Sequence, residues 1–283
     1  MNRVALDRVA LDRVVRTALE EDLAHGPDAT TAACVPPGAR ADAVFATRTA
    51  GTLAGVPAAL AVLDAVLGEG GYDVTGQRSD GDRLAAGDVA LRVSAPTAGL
   101  LTAERTALNL LCHLSGVATA TAAWVDAVAG TGCRIRDTRK TLPGLRSLQK
   151  YAVRCGGGVN HRMGLGDAVL VKDNHVAAAG SVKAAIAAVR AHAPDLPCEV
   201  EVGTLNELDE ALGAGVSLVL LDNMSPAQCA AAVDRARGTG TELEASGGLT
   251  LDVARAYAET GVHYLAVGAV THSTRALDLG LDL

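Results

Sequence analysis

The chain has 283 residues, 49% hydrophobic but only 2% aromatic, with a formal net charge of −7. That length suffices for one large α/β domain or two smaller ones, with an ample core of Ala, Val and Leu. The negative balance and the scarcity of rings exclude a nucleic-acid surface and base-stacking platforms.

The first residues repeat a five-residue unit, Val4-Ala-Leu-Asp-Arg8 and Val9-Ala-Leu-Asp-Arg13. Arg8/Asp12 and Asp12/Arg16 stand at helical i,i+4 spacing, which predicts an exposed helix rather than a secretory leader. From about Ala41 to Pro96, short alternating runs broken by Gly predict antiparallel strands at Ala43–Arg48, Tyr72–Gln77 and Val89–Ser94. Between them Val56–Leu67 reads as a helix, with Pro57 in its first turn. The most apolar window, Thr49 to Gly68, holds Pro57 and Asp64, so a membrane span is not expected there. A long helix is expected to begin near Thr102 as N-cap, which puts Arg105 in the first turn, against the helix dipole. The six cysteines (34, 112, 133, 155, 198 and 229) show neither CxxC pairing nor metal-ligand spacing and are expected to be free thiols in a reducing cytosol.

The second half repeats one theme, a β-rich run ending in a polar residue or glycine, followed by a helical segment. The runs are Cys133–Asp137, Val159–Met163, Ala168–Lys172, Cys198–Val202, Leu218–Asp222, Glu242–Ser246 and His263–Gly268. Their spacing is that of βα units, and seven of them predict an incomplete parallel barrel. Barrel chemistry gathers at the C-terminal strand ends. Those ends hold Asp137, Lys172, Glu201, Asp222, Ser246-Gly247-Gly248 and Gly268-Ala269, a set of cations, carboxylates and small-residue loops.

Charge concentrates in the same region. Arg134–Lys172 carries nine of the 25 Lys and Arg residues against Asp137 and Asp167 alone, a local +7. Arg146, Lys150 and Arg154 fit a solvated basic helix over Gly144–Val153, ended by the triple glycine Gly156–Gly158. Arg139, Lys140, Arg162 and Lys172 instead sit beside Gly and Thr. That layout suits convergent binding of a small, highly charged anion. No dinucleotide GxGxxG or Walker loop is present.

The motifs Asp137-Thr-Arg-Lys-Thr, Pro143-Gly-Leu-Arg146, Gly156-Gly-Gly-Val-Asn-His-Arg162 and Val171-Lys-Asp-Asn-His175 resemble those of the quinolinate phosphoribosyltransferases. Glu199-Val-Glu-Val, Leu221-Asp-Asn-Met, Leu243-Glu-Ala-Ser-Gly-Gly and Val267-Gly-Ala-Val-Thr-His-Ser273 follow in matching order, and Glu21-Asp-Leu with Asp28-Ala-Thr-Thr resembles the family's opening. Departures are slight: Leu142, Val270 and His263 stand where Thr, Leu and Asp are common.

The resemblance implies an N-terminal α/β sandwich over residues 1–115, to which 271–283 return, and a seven-stranded open α/β barrel over 116–270. It implies that Arg139, His161, Arg162 and Lys172 bind the carboxylates of quinolinate, with Arg105 entering from the other subunit of a homodimer. Lys140 would face the pyrophosphate of phosphoribosyl pyrophosphate, and Thr138 is implied as a further substrate-binding residue. Glu201 and Asp222 would hold Mg²⁺, and backbone N–H groups of Ser246, Gly247, Gly248, Val267, Gly268 and Ala269 would cradle the 5-phosphate. Lys140, Glu201 and Asp222 are the residues implied for catalysis in this cytoplasmic transferase. Competing readings are a paralogue acting on another ring, a barrel aldolase with Lys172 as Schiff-base lysine, and an anion-binding protein without turnover.

Overall fold

The computed structural model describes residues 6–283. The described residues fall into two compact units. One comprises residues 6–122, 141–157 and 269–283, the other 123–140 and 158–268.

In the first unit a four-stranded antiparallel sheet runs in the order Leu279–Asp282, Arg40–Thr47, Val89–Pro96, Asp73–Gln77. The three expected strands are therefore present, and the chain's last residues return to pair with the first of them. Helix Val56–Leu67 spans the residues expected of it, with Pro57 in its first turn. Gly55 precedes it at φ +105°, where a side chain would be strained, and the N–H groups of Gly55 and Val56 donate to Asp80 at 2.7 and 3.1 Å. Helix Arg8–Asp22 buries Ala10, Leu11 and Val15 and carries the expected Arg8–Asp12 pair at 3.1 Å on its exposed side. The start of the first repeat, Val4-Ala5, lies outside the described residues.

The long helix covers Thr97–Ala127, five residues earlier than expected. It starts directly after Pro96, and Gly99 within it disguises the helical pattern. Thr102 is therefore inside the helix rather than its cap, its hydroxyl donating to Asp28 at 3.3 Å. Arg105 lies in the third turn, exposed, so opposition to the dipole no longer bears on it. By length and composition this helix could cross a membrane, yet 61% of its most apolar window is buried inside the protein, the condition of a core helix. Helix Arg146–Cys155, ended by Gly156, also departs from expectation. Arg154 is exposed, but Lys150 is only 1% exposed and shares its buried stretch with Leu148, Tyr151 and Val153, so this is no solvated basic face.

Gly116 gives a stability prediction. A Cβ there would meet the Arg275 carbonyl oxygen at 2.2 Å and Ala276 Cα at 2.9 Å. Gly→Ala inside a helix gains roughly 0.5–1 kcal/mol of propensity, whereas overpacking against backbone costs about 1–3 kcal/mol. The clash wins, and Gly116→Ala should lower the thermal midpoint by a few degrees in differential scanning calorimetry.

The second unit contains a six-stranded parallel sheet in the order Arg134–Arg136, Tyr264–Ala266, Glu242–Ser246, Leu218–Asp222, Cys198–Val202, Val169–Val171. Six of the seven expected runs are thus strands, and the last pairs back onto the first, the connection of a barrel. The Val159–Met163 run joins only as a parallel bridge between Val159 and Arg136. It extends no further because Asp137 takes its next donors: the His161 N–H at 2.8 Å and the Asn160 side-chain amide at 2.5 Å. Among the described residues no strand pairing links Val159 to Val169–Val171, so the barrel is open at that seam. Helices 182–192, 205–213 and 226–236 alternate with the strands, their N-termini capped by the Ser181, Thr204 and Ser225 hydroxyls.

Candidate active site

All strands of the second unit point the same way, so their C-terminal ends form one rim. Thr138-Arg139-Lys140, His161-Arg162, Lys172, Glu201, Asp222, Ser246-Gly247-Gly248 and Val267-Gly268 stand on it or one turn beyond. The sequence-predicted residues of this unit are therefore brought to one end of one sheet. Arg105 and Ala269 belong to the other unit.

The cations are held partly desolvated. The Arg139 and Arg162 side chains each bury their Nε with no hydrogen-bond partner. Burial pulls the Arg162 pKa down, and the positive charge of Arg139 nearby lowers it further. Arg162 Nη1 donates to the Ala168 carbonyl at 3.1 Å. Two neighbouring guanidiniums, each with an unmet Nε donor, suit a carboxylate or phosphate.

Lys172 and Glu201, expected to serve different ligands, form an ion pair with each other, the lysine side chain 45% exposed and the glutamate 15%. Asp222 ends the adjacent strand and accepts the Asn223 amide at 2.7 Å. Strand alternation puts Glu201 and Asp222 on the same face of neighbouring strands, since Glu201 pairs with Leu220. Two carboxylates at an open rim suit a hard divalent ion that keeps water and phosphate oxygens as its other ligands, so the residues fit Mg²⁺.

The two small-residue loops end adjacent strands, Glu242–Ser246 and Tyr264–Ala266. Gly247 and Gly248 have φ of +93° and +61°, and a Cβ on Gly247 would stand 2.2 Å from Asn223 Oδ1. The loop can take no other residue at Gly247 without displacing Asn223, the one described non-glycine residue at positive φ (54°). Lys140 donates its backbone N–H to the Thr138 hydroxyl at 3.0 Å, closing the turn that carries both.

Below the rim lies a layer the sequence reading missed. Arg136 Nη1 contacts Glu244 at 2.5 Å and Glu199 at 4.0 Å, and His161 Nε2 meets Glu199 at 2.7 Å. Glu199 is 4% exposed, Glu244 and Asp137 are fully buried, and one oxygen of each glutamate lacks a partner. The linear signal was the complementary period-two spacing of Arg134-Ile-Arg136 against Glu199-Val-Glu201 and Glu242-Leu-Glu244 in otherwise apolar strands. Burial, and then the charge of Glu199, push the Glu244 carboxyl up to about 8, against the opposing pull of Arg136. The folded state therefore holds this proton where an unfolded glutamate releases it. Its stabilising contribution is complete below the ordinary value of 4.5 and is lost as pH rises towards 8. Stability measured by urea unfolding should decline across that window, and Glu244→Gln, which mimics the protonated acid, should flatten the decline.

The first unit has a groove of about 1380 Å³ lined by Val15, Leu19, Leu23, Val35 and Pro36 among others. It is a poorer candidate, because its Arg8 and Asp12 pair with each other and Asp28 is engaged by Thr31 and Thr102. The buried Cys133 and Cys229 and the half-buried Cys155 are also unsuited to nucleophilic work, since burial pushes the first two up to about 11 and Cys155 to about 12.

The chain is 59% identical over 271 residues to the nicotinate-nucleotide pyrophosphorylase [carboxylating] of Mycobacterium leprae, covering 95% of each chain. It is 38% identical to the human protein of that name, over 98% of this chain and 93% of the other. The crystal structure of NadC from Streptococcus pyogenes superposes with a TM-score of 0.93 at 39% identity, covering 99% of this chain and 98% of that one. Residues 28–115 match the N-terminal domain model of quinolinate phosphoribosyl transferase and residues 117–282 its C-terminal domain model, and with most of its length so matched the chain belongs to that family.

Proposed function

We propose that this chain transfers the phosphoribosyl group of phosphoribosyl pyrophosphate to quinolinate with loss of CO₂. The products are nicotinate mononucleotide and pyrophosphate, a step of NAD biosynthesis. The observation that carries the substrate assignment is the Arg139–Arg162 pair, two half-buried arginines whose buried Nε donors have no partner. One carboxylate neutralises only one of the two positive charges, and quinolinate brings two carboxylates on adjacent ring carbons.

Arg139, Arg162 and Lys172 bind and orient the dicarboxylate, with the His161 ring behind them and Arg105 contributed by a second subunit. Held this way, the ring nitrogen faces C1 of the ribose. As the bond to pyrophosphate breaks, negative charge grows on the leaving group and oxocarbenium character on the sugar. Lys140 and the Thr138 turn are placed to meet that charge. The backbone N–H groups of residues 246–248 and 267–269 hold the 5-phosphate and fix the ribose. Glu201 and Asp222 would hold Mg²⁺, which would supply further neutralisation of the charge developing on the pyrophosphate. Alkylation at nitrogen makes the ring a pyridinium. The electrons of the departing 2-carboxylate then stay at C2, stabilised by the adjacent positive nitrogen, until a proton replaces the lost CO₂. The sequence needs no side-chain nucleophile, which separates it from an aldolase using Lys172. Incubation of the purified protein with quinolinate, phosphoribosyl pyrophosphate and Mg²⁺ should release CO₂ and pyrophosphate in equal amounts. Turnover without CO₂ would indicate a different ring as substrate.

We place the enzyme in the cytoplasm as a homodimer, on the strength of its cysteines without disulfides and of the family resemblance. Arg105 supports the composite site: it is an exposed arginine on the first unit's long helix. In a two-fold dimer each site then needs both chains. Mixing inactive Arg105→Ala with inactive Lys140→Ala subunits should restore roughly a quarter of wild-type activity, since half the dimers are mixed and each of those has one intact site. No recovery after demonstrated subunit exchange would put Arg105 outside any shared site.

A further inference from the structure

The charged layer beneath the rim is buried, and it joins the anion pocket through one residue. His161 is 8% exposed, and both ring nitrogens are engaged. Nδ1 accepts the backbone N–H of Arg162 at 2.7 Å, and Nε2 faces Glu199 Oε2 at 2.7 Å. A backbone N–H can only donate. Nδ1 is therefore the unprotonated nitrogen, Nε2 carries the hydrogen, and Glu199 must accept it. The His161, Glu199 and Glu244 donor atoms lie within 4.8 Å of one another, close enough for a metal ion. The tautomer argues otherwise, because the Nε2 lone pair a metal needs is taken by the hydrogen, and Arg136 already supplies a cation to both glutamates.

The backbone held by this bond is that of Arg162. Asp137 fixes the preceding peptide by accepting the His161 N–H at 2.8 Å, so residues 161 and 162 are pinned from two sides. The Arg162 side chain leaves that pinned backbone with its Nε buried and unpartnered.

We propose that Glu199 is a positioning residue of the anion pocket: by accepting the His161 Nε2 hydrogen it fixes the imidazole tautomer that holds the Arg162 backbone, and so aims the Arg162 guanidinium at the ligand. The proposal rests on the reading of Arg162 as a quinolinate ligand. It gives a reason for a buried carboxylate beneath a site for anions. What the pocket requires there is a hydrogen-bond acceptor at a fixed point, and the cost of its charge is offset by Arg136 and His161.

The role separates acceptor from charge, so two variants of the full-length enzyme decide it. Glu199→Gln keeps an acceptor oxygen and should leave the quinolinate dissociation constant within about threefold of wild type. Glu199→Ala should weaken quinolinate by about 10- to 100-fold, the usual effect of removing a group that orients a ligand-binding side chain. Phosphoribosyl pyrophosphate binding, titrated separately by calorimetry, should change less than about threefold in either variant. Equal weakening of both ligands, no weakening in a folded Glu199→Ala, or a tenfold loss in Glu199→Gln would each overturn the proposal. A readout on the wild type does not depend on Glu199→Ala folding: the imidazole ¹⁵N shifts of His161, assigned by loss in His161→Gln, should report a neutral ring protonated at Nε2. An Nδ1–H ring or an imidazolium at neutral pH overturns the positioning role alone. A wild type that binds no quinolinate overturns the functional reading beneath it.

Discussion

Replacing quinolinate by nicotinic acid should lower kcat/KM by roughly 30- to 4000-fold, because a carboxylate missing from the pocket leaves a desolvated cation unpaired, at about 2–5 kcal/mol. The two guanidiniums make this expectation specific. Arg139 and Arg162 are close enough for one to depress the pKa of the other, and each hides an Nε from water without giving it a partner. A ligand with one carboxylate satisfies one guanidinium and leaves the like-charge repulsion largely in place. Rates should be compared at subsaturating acid with phosphoribosyl pyrophosphate in excess. Comparable values for the two acids would sink the dicarboxylate assignment.

Glu201→Gln and Asp222→Asn should each cut kcat by about 100-fold or more, the scale set by losing one preorganised charge-stabilising group. Their effects on quinolinate should differ from those on turnover, and from each other. Glu201 holds Lys172 in an ion pair. Removing its charge releases that lysine, so Glu201→Gln should bind quinolinate at least as tightly as wild type. Asp222 has Asn223 rather than a pocket cation as its neighbour, and Asp222→Asn should leave quinolinate affinity unchanged. Loss of kcat with retained binding is the signature of an interaction made in the transition state. Near-normal Mg²⁺-dependent turnover in either variant would remove that residue from the metal site.

The rim was legible because parallel strands advertise themselves as short β-rich runs at βα spacing, and their last residues are polar against an apolar background. Leu218–Asp222 and Glu242–Ser246 have the predicted bounds. The two Gly-containing loops and the four rim cations followed from local sequence alone. Glu199 and Glu244 did not, since a carboxylate within a strand is ordinarily a solvated group. Only Arg136 and His161, distant from it in sequence, make its burial tolerable. The start of the long helix was hidden for a local reason, Gly99 interrupting the apolar stripe, and Lys150 for a tertiary one, because its helix is buried around much of its circumference.

The open seam makes Arg162 a fastener as well as a ligand group. Among the described residues Val169–Val171 has a strand neighbour on one side only, so every second backbone group along it points into the gap between Val159 and Val169. Arg162 reaches to the carbonyl of Ala168, at the mouth of that gap. Ligand grip and barrel closure thus draw on the same guanidinium. Amide hydrogen–deuterium exchange should be faster at residues 168–171 than at Val200 or Val219 in the sheet's interior. Quinolinate should alter the rate at the seam while leaving the interior strands unchanged, making the seam a local gauge of occupancy.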